Sequence, residues 1–266
     1  MKKIVLLLLL VLTALSCKND DDAILIQADS SVDFTFTQNW NGQTIENSDY
    51  QNTTYVNANG ESMTLSKVNY LLSDFTFTSV TDGTVYASED YNLVLARDGE
   101  NTTFTPDIEI PEGDYTVSFT FGFDDEDNDK EGGYNDLNSV DGFWSVPAML
   151  GGGYHYQRIE GTYINNAAEV TNFQFHTVRA NRHETLPPGP DTLVELRDTS
   201  FEVNLGTVSV GTTTNIEVKA NIAEWFNNPI TWDLNERFMV LMPNFQAQLD
   251  MKENGNTVFE LGAVTQ

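Results

Sequence analysis

The first group of residues that could do chemistry is an acidic stretch near the middle of the chain. The sequence DNDKEG begins at Asp127, so Asp127, Asp129 and Glu131 fall at positions one, three and five of a loop with glycine at six, and Asn135 at nine. Hard oxygen ligands in this order begin the calcium loop of EF-hand proteins, although Asn138 replaces the glutamate of position twelve. We predict that these four residues bind calcium; the alternative is a solvated acidic loop.

Imidazole is the second source of ligand chemistry, and the chain has three histidines, His155, His176 and His183. His176 has the opposite parity to Phe173 and Phe175 in a predicted strand, so its ring should point away from the face of those phenylalanines. His155 likewise has the opposite parity to both tyrosines of its own strand. If the two strands are neighbours, their imidazoles should converge; the alternative for each is an ordinary hydrogen-bonded histidine.

No enzymatic motif accompanies these residues. The sequence contains no HExxH, GxSxG, P-loop or CxxC pattern. A pair such as Asp141 and Glu160 could serve as glycosidase carboxylates, but nothing in the sequence brings the two together. We therefore expect a binding protein and not an enzyme.

The start of the chain is typical of an exported lipoprotein. Residues 1–16 hold two lysines and then a short aliphatic run, which predicts a signal peptide, because a membrane-spanning helix needs about 20 apolar residues. Ser16 precedes Cys17, the only cysteine, as in a bacterial lipobox. We predict that Cys17 is lipidated and holds the protein in the membrane.

Residues 17–30 form a predicted acidic tether, and residues 31–266 a single domain. The tether resembles the acidic export signals of Bacteroidetes surface lipoproteins. We expect an outer membrane lipoprotein of the cell envelope that faces the periplasm or the cell surface. The net charge of −27 disfavours nucleic acid as a partner and favours divalent cations or cationic proteins.

Alternation with a period of two recurs along the whole domain and predicts strands with one buried face. The clearest run places Tyr115, Val117, Phe119 and Phe121 between small polar residues. We predict an all-β fold, a single antiparallel β-sandwich of the immunoglobulin-like type with long loops at 124–142 and 179–198, and one short helix that Asn221 caps. The predicted strands include 32–36, 68–78, 91–95, 104–110, 115–123, 154–163, 173–177, 201–205, 212–218, 238–242 and 258–264.

An ordered set of segments resembles the MbnP-like family, periplasmic or surface copper-binding proteins first associated with methanobactin operons. No segment is specific alone, but their order along the chain is that of the family. The segments are KVNYLLSDF at 67–75, IPEGDY at 110–115, FTFGFD at 119–124, GYHY at 153–156, RIEG at 158–161 and FQFH at 173–176.

The resemblance implies a β-sandwich that binds copper. In related proteins histidines and a tryptophan oxidised to kynurenine hold the metal, and a dihaem cytochrome peroxidase makes the modification. The matching residues here are His176 and His155 as ligands and Trp144 as the oxidised aromatic. The chain departs from the family pattern at 143–147, where FWSVP replaces MxWxW.

Two functions of different classes follow. The first is a lipoprotein that binds a metal ion, copper before others. The alternative is a carbohydrate- or protein-binding surface module that is braced by calcium and binds no copper; its aromatic side chains would stack on sugars. A structural envelope protein that binds neither ligand is a further possibility besides these two. The aromatic candidates are Trp40, Trp144, Tyr154 and Tyr156.

Overall fold

The computed structural model describes residues 29–139, 144–189 and 191–266. Cys17, the predicted signal peptide and most of the predicted tether lie outside the described residues, as does Asp141. Within the described ranges, the structure has no helix that is both long and apolar enough to span a membrane.

The first sheet has six strands in the described part of the chain. They are β1 (Asp29–Trp40), β2 (Gln43–Thr44), β6 (Thr103–Phe104), β7 (Ile110–Pro111), β14 (Thr213–Asn221) and β15 (Phe259–Thr265). The order is β15-β14-β1-β2, and β6 and β7 also pair with β1. β1 and β14 run parallel, with Val32 opposite Thr214. This pair is a parallel exception in a sandwich that is mostly antiparallel, as predicted.

The second sheet has seven strands in the described ranges. They are β3 (Tyr55–Val56), β4 (Ser62–Ser79), β5 (Val85–Leu95), β8 (Gly113–Phe121), β9 (Gln157–Ile164), β10 (Val170–Thr177) and β13 (Phe201–Val210). The order is β10-β9-β4-β8-β13, with β3 and β5 also paired with β4. All these pairs are antiparallel. β11 (Ala180–His183) and β12 (Leu193–Arg197) form a separate hairpin.

The core lies between the two large sheets and is rich in phenylalanine. Phe75 of β4 contacts Phe34 of β1 across the sandwich, with ring centroids 5.0 Å apart, and Phe119 of β8 at 5.8 Å. Each of these rings is at most 1% exposed, and burial of such a side chain contributes roughly 1.5–3 kcal/mol. The alternation of polar and apolar residues therefore predicted the buried faces correctly, and the all-β sandwich is confirmed.

The prediction of one short helix was incomplete. The expected helix is a 3₁₀ helix, Ile222–Phe226, and the Asn221 side chain accepts from the Ala223 amide at 3.3 Å. The described chain also contains α1 (Asp125–Asn128), α2 (Asn135–Ser139) and the 11-residue α3 (Phe245–Gly255). Two further 3₁₀ helices span Asn47–Asp49 and Ala148–Leu150.

Two strand predictions and one loop prediction also need correction. Segment 238–242 is irregular, and Val240 has a φ of 58°, which an extended strand does not allow. The strand predicted at 104–110 is interrupted, because only its two ends pair with other strands, as β6 and β7. The 179–198 stretch, expected to be a loop, contains β11 and β12.

Candidate metal centre

β9 and β10 are hydrogen-bonded neighbours, which is the condition under which the two histidines were expected to converge. His176 in β10 is the register partner of Arg158 in β9. His155 precedes β9, and the next residue, Tyr156, donates its amide to the Thr177 carbonyl at 2.9 Å. The ring centroids of His155 and His176 lie 5.4 Å apart, with an interplanar angle of 84°. The structure therefore brings these two predicted ligands together.

His155 is 4% exposed, and both of its ring nitrogens have close neighbours. Its Nδ1 lies 2.9 Å from the Trp144 carbonyl oxygen, which can only accept, and 3.2 Å from Nη2 of Arg158, which can only donate. We assign the ring hydrogen to Nδ1 on the shorter contact, so that Nε2, which lies 3.1 Å from Sδ of Met242, carries the lone pair. Burial, reinforced by the charge of Arg158, lowers the pKa of His155 to about 3. The ring is thus neutral at pH 7.

His176 is oriented by a carboxylate. Its Nε2 donates to Oε1 of Glu160 at 3.0 Å, and the Lys67 ammonium lies 3.1 Å from the same oxygen. The hydrogen bond from His176, with help from Lys67, lowers the pKa of Glu160 to about 2, so Glu160 is ionised. Burial lowers the pKa of His176, although Glu160 opposes this shift. When the neutral ring carries its hydrogen on Nε2, the lone pair that could bind a metal is on Nδ1.

Met242 is the third potential ligand, and sequence analysis did not select it. It lies in the irregular segment before α3, where its carbonyl accepts from Nδ2 of Asn181 at 2.9 Å. Gln248 of α3 donates to the carbonyls of Leu241 and His176, both at 3.0 Å. The helix therefore holds the methionine segment beside β10. We call His155, His176 and Met242 the histidine–methionine group.

The wall beside His155 is aromatic and cationic. Trp144 is 1% exposed, and its ring centroid lies 5.9 Å from that of His155. The Arg158 guanidinium lies 4.6 Å from the Trp144 ring centroid and 3.2 Å from Nδ1 of His155. Nε1 of Trp144 is buried and has no hydrogen-bond partner among the described residues. Trp144, the residue that the family resemblance implied to be oxidised, thus lies next to the predicted ligand His155.

A cavity of about 420 Å³ borders two of the three residues of the group. His176 and Met242 line it together with mostly apolar side chains, among them Met149, Leu150 and Leu241. A small ion could therefore approach the donor atoms from this side.

The donor set decides which metal these residues could hold. Among residues 29–139, 144–189 and 191–266, no group of three or more His, Cys, Asp or Glu side chains is arranged to hold a metal ion. Among the described residues, Met242 is the donor that lies beside the two imidazoles. Imidazole and thioether donors fit copper in its cuprous state and fit calcium or magnesium poorly. Each histidine also gives its other ring nitrogen to an oxygen acceptor, as metal-binding histidines usually do.

The four predicted calcium ligands lie on separate pieces of structure. Asp127 belongs to α1, Asp129 ends it, Glu131 follows in a turn and Asn135 begins α2. Asp129 lies 2.9 Å from the buried Arg179, while Asp127 accepts a short hydrogen bond from the Tyr134 hydroxyl. Calcium binding by this acidic loop, residues 124–136, stays a prediction.

A second cavity of about 440 Å³ lies against the acidic loop. Of the predicted calcium ligands, Asp127 alone lines it among the described residues, together with Asp74, Glu89, Asp124 and other residues. Burial, together with neighbouring carboxylates, raises the pKa of Asp74 and of Asp127. This environment resists negative charge, in contrast to that of Glu160.

The aromatic residues that suggested sugar binding are all core residues. Trp40, Trp144, Tyr154 and Tyr156 are at most 6% exposed, so they offer no open face for stacking on a sugar.

His183, the remaining histidine, lies in β11 and not in the histidine–methionine group; its ring nitrogens contact side-chain oxygens of its own hairpin region.

No curated protein matches the chain. The sequence model of the MbnP family, in contrast, matches residues 29–243, which is most of the chain. The chain belongs to the MbnP family. The MbnP family is metal-related and associated with methanobactin, and the match establishes function at that level.

One solved structure is similar to this MbnP-family chain. It is described as MbnP from Methylosinus trichosporium, with 14% sequence identity and a TM-score of 0.48. The similarity covers 78% of this chain and 80% of that chain.

Proposed function

We propose that this MbnP-family protein binds one copper ion, as Cu(I), through His155, His176 and Met242. One observation carries the proposal: Nε2 of the buried His155 lies 3.1 Å from the Met242 sulfur, and the His176 ring centroid lies 5.4 Å from that of His155. Soft sulfur and imidazole donors favour Cu(I) over oxygen-preferring ions. Met242 is the addition to the histidines that the family resemblance implied.

Trp144 belongs to the same proposal. Its ring packs beside His155, and we infer that it is the aromatic residue that a dihaem cytochrome peroxidase partner would oxidise, as the resemblance implies. Mass spectrometry of the peptide that contains Trp144, from protein purified from its native host, tests this part. An unmodified tryptophan in copper-loaded native protein would contradict it.

The proposed place of action is the cell envelope. A lipid on Cys17 would hold the protein at the outer membrane, where it would bind copper without catalysing a reaction. Labelling with a radioactive fatty acid should mark the wild-type protein and not a Cys17→Ala variant.

Copper binding itself is tested with the purified full chain. We expect about one Cu(I) per chain in competition with a chromophoric Cu(I) chelator. His155→Ala, His176→Ala and Met242→Leu should each weaken binding, whereas His183→Ala removes a histidine outside the group and should leave it unchanged. A wild-type protein that takes up no copper, or a His183→Ala variant as impaired as the other two histidine variants, would contradict the proposal.

A further inference from the structure

A second methionine lines the cavity beside the proposed copper ligands. Met149 borders the same cavity as His176 and Met242, and the residue is 40% exposed. Resting on the copper site proposed above, we propose that Met149 is the docking ligand for incoming copper. Its thioether binds Cu(I) first and passes the ion on to Met242 and His176.

The cavity has an exposed rim and a buried floor. Val240 and Met149 are 72% and 40% exposed, whereas Leu150 and Leu241 are 9% and 4% exposed. The side chain of His176 is 13% exposed. An ion that arrives from solvent therefore meets Met149 before it meets the histidine.

The lining offers a Cu(I) ion few alternatives. Among the described residues of the cavity wall, Met149 is the one side chain besides His176 and Met242 with a donor that Cu(I) prefers. Gln174 offers a hard amide oxygen, and the remaining side chains are apolar. An ion that lost its carrier before it gained a new ligand would be costly in such surroundings. A thioether at the rim removes this cost, because it can bind the ion while the carrier leaves.

The loop that carries Met149 is closed directly beside a proposed ligand. Met149 is the central residue of the 3₁₀ helix Ala148–Leu150, which lies between Trp144 and His155 in the chain. The amide of His155 donates to the Trp144 carbonyl at 3.0 Å. The amide of Val146 donates to the Gly153 carbonyl at 2.8 Å, one step further along the loop. Met149 is therefore held on a short loop whose base is next to His155.

Packing also connects this loop to Met242. Leu150, the neighbour of Met149, forms a small buried cluster with Val146 and Val178, and Met242 packs against this cluster. Beyond the helix, Nη2 of Arg179 donates to the carbonyl of Gly151 at 2.8 Å. The position of Met149 is thus fixed relative to the thioether that receives the ion.

The transfer is a ligand exchange without a change in oxidation state. A bond from Cu(I) to the Met149 sulfur forms as the bond to the carrier breaks, and it breaks in turn as bonds to Met242 and the histidines form. No electron moves, and no proton is released, because both imidazoles are neutral. Since release follows the same route in reverse, Met149 should speed uptake and release equally and leave the affinity unchanged.

A purely apolar role for Met149, as a cover over the cavity, is the competing explanation. It predicts that the bulk of the side chain matters and its sulfur does not. Met149→Leu separates the two explanations, because leucine keeps an apolar side chain of similar volume and removes the sulfur. Met239→Leu makes the same change at a methionine that is 39% exposed and does not line the cavity, so it is the matched control.

The experiment measures two rates for the full chain by stopped-flow absorbance. Uptake is followed by mixing the metal-free protein with Cu(I) bound to a chromophoric chelator. Release is followed by mixing the Cu(I)-loaded protein with an excess of a stronger chelator. Chelator competition at equilibrium gives the dissociation constant of the same samples.

We expect uptake and release to be about tenfold slower in Met149→Leu, which corresponds to about 1.4 kcal/mol in the barrier, with an unchanged dissociation constant. Met239→Leu should match the wild type in both rates. Unchanged rates in Met149→Leu, or a weaker affinity with an unchanged uptake rate, would overturn the docking role while leaving the copper site intact. If the wild-type protein takes up no Cu(I), the copper site falls and this inference falls with it.

Discussion

The histidine–methionine group and the acidic loop carry the two kinds of metal ligand that the sequence offers, and they are built in opposite ways. His155 and His176 each place one ring nitrogen against an oxygen acceptor, and the other nitrogen of His155 lies 3.1 Å from the Met242 sulfur. In the acidic loop, Asp129 is paired with Arg179, and Asp127 accepts from Tyr134. The second nitrogen of His155 thus faces a sulfur that could share a metal with it, whereas these two carboxylates are engaged by an arginine and a tyrosine.

The number of ligand-type side chains in a segment therefore does not determine how closely their donor atoms are brought together. The acidic loop is rich in carboxylates, yet its predicted ligands belong to separate elements. The histidine–methionine group has only three donors, drawn from β10, the segment before β9 and the segment before α3. Burial keeps both of its histidines neutral at pH 7, which is the form that binds a metal.

The largest predicted difference between the two regions is in copper affinity. His155→Ala removes a proposed ligand and should weaken Cu(I) binding by at least about 100-fold, beyond the usual loss from changing a residue that only supports a ligand. Asp127→Asn in the acidic loop should leave the affinity unchanged. Competition with a Cu(I) chelator measures the affinity of both variants. Equal losses of affinity would contradict a copper site that uses His155 and not the acidic loop.

A smaller effect should follow from Glu160. Glu160→Ala removes the acceptor that orients His176 and should weaken Cu(I) binding by about 10- to 100-fold. Glu160→Gln keeps an oxygen that can accept the same hydrogen bond, so its loss should be smaller. If the alanine and glutamine variants bind copper as tightly as the wild type, Glu160 does not orient the ligand.

The two regions should also respond to acid with opposite signs. The pKa of His155 is about 3 in the folded protein and about 6.5 when unfolded. Between these values only the unfolded chain binds the proton, so this residue lowers the stability of the metal-free protein as pH falls, by at most about 1.4 kcal/mol per pH unit. Burial raises the pKa of Asp127 in the folded protein above its value in the unfolded chain. As pH falls from the folded pKa towards the unfolded pKa, the folded protein binds the proton more readily, so Asp127 increases the stability of the protein.

Urea unfolding of metal-free protein at a series of pH values measures this contrast. The stability of wild type relative to His155→Gln should decrease from pH 6.5 downwards. The stability of wild type relative to Asp127→Asn should increase on acidification. Parallel trends for the two pairs would show that the two environments do not differ as described.

The smallest effect is expected at Asp129. Its ion pair with Arg179 involves a carboxylate that is 66% exposed, and Asp125 and the Gly151 carbonyl also bind the same arginine. Asp129→Asn should therefore lower the free energy of unfolding by no more than about 1 kcal/mol. Copper affinity should not change. A loss of copper binding in this variant would link the acidic loop to the metal.

Much of the fold could be predicted from the sequence because burial on one face of a strand leaves a period-two pattern. The run from Tyr115 to Phe121 shows this pattern and forms β8. The parallel pairing of β1 with β14 could not be predicted, because partners about 180 residues apart leave no local signal. Helix α3 was missed because it buries polar Gln248 and Asn254 besides its apolar residues, which hides a helical pattern.

The candidate site could be predicted in part. The parity of His155 and His176 in adjacent strands pointed to their convergence, and the structure shows neighbouring strands. Met242 could not be predicted, since the segment that carries it looked like a strand, whereas Val240 in that segment has a left-handed backbone. Arg158 was equally hidden, because its contact with Trp144 joins β9 to a distant irregular segment.

X-ray absorption spectroscopy of the copper-loaded full chain reports both the oxidation state of the metal and the atoms bound to it. We expect an absorption edge typical of Cu(I), with two imidazole nitrogens and one sulfur bound to the metal. The sulfur should disappear from the spectrum of the Met242→Leu variant, since Met242 and not Cys17 supplies it. A copper ion bound only by nitrogen and oxygen, or a sulfur that persists in Met242→Leu, would contradict the proposed site.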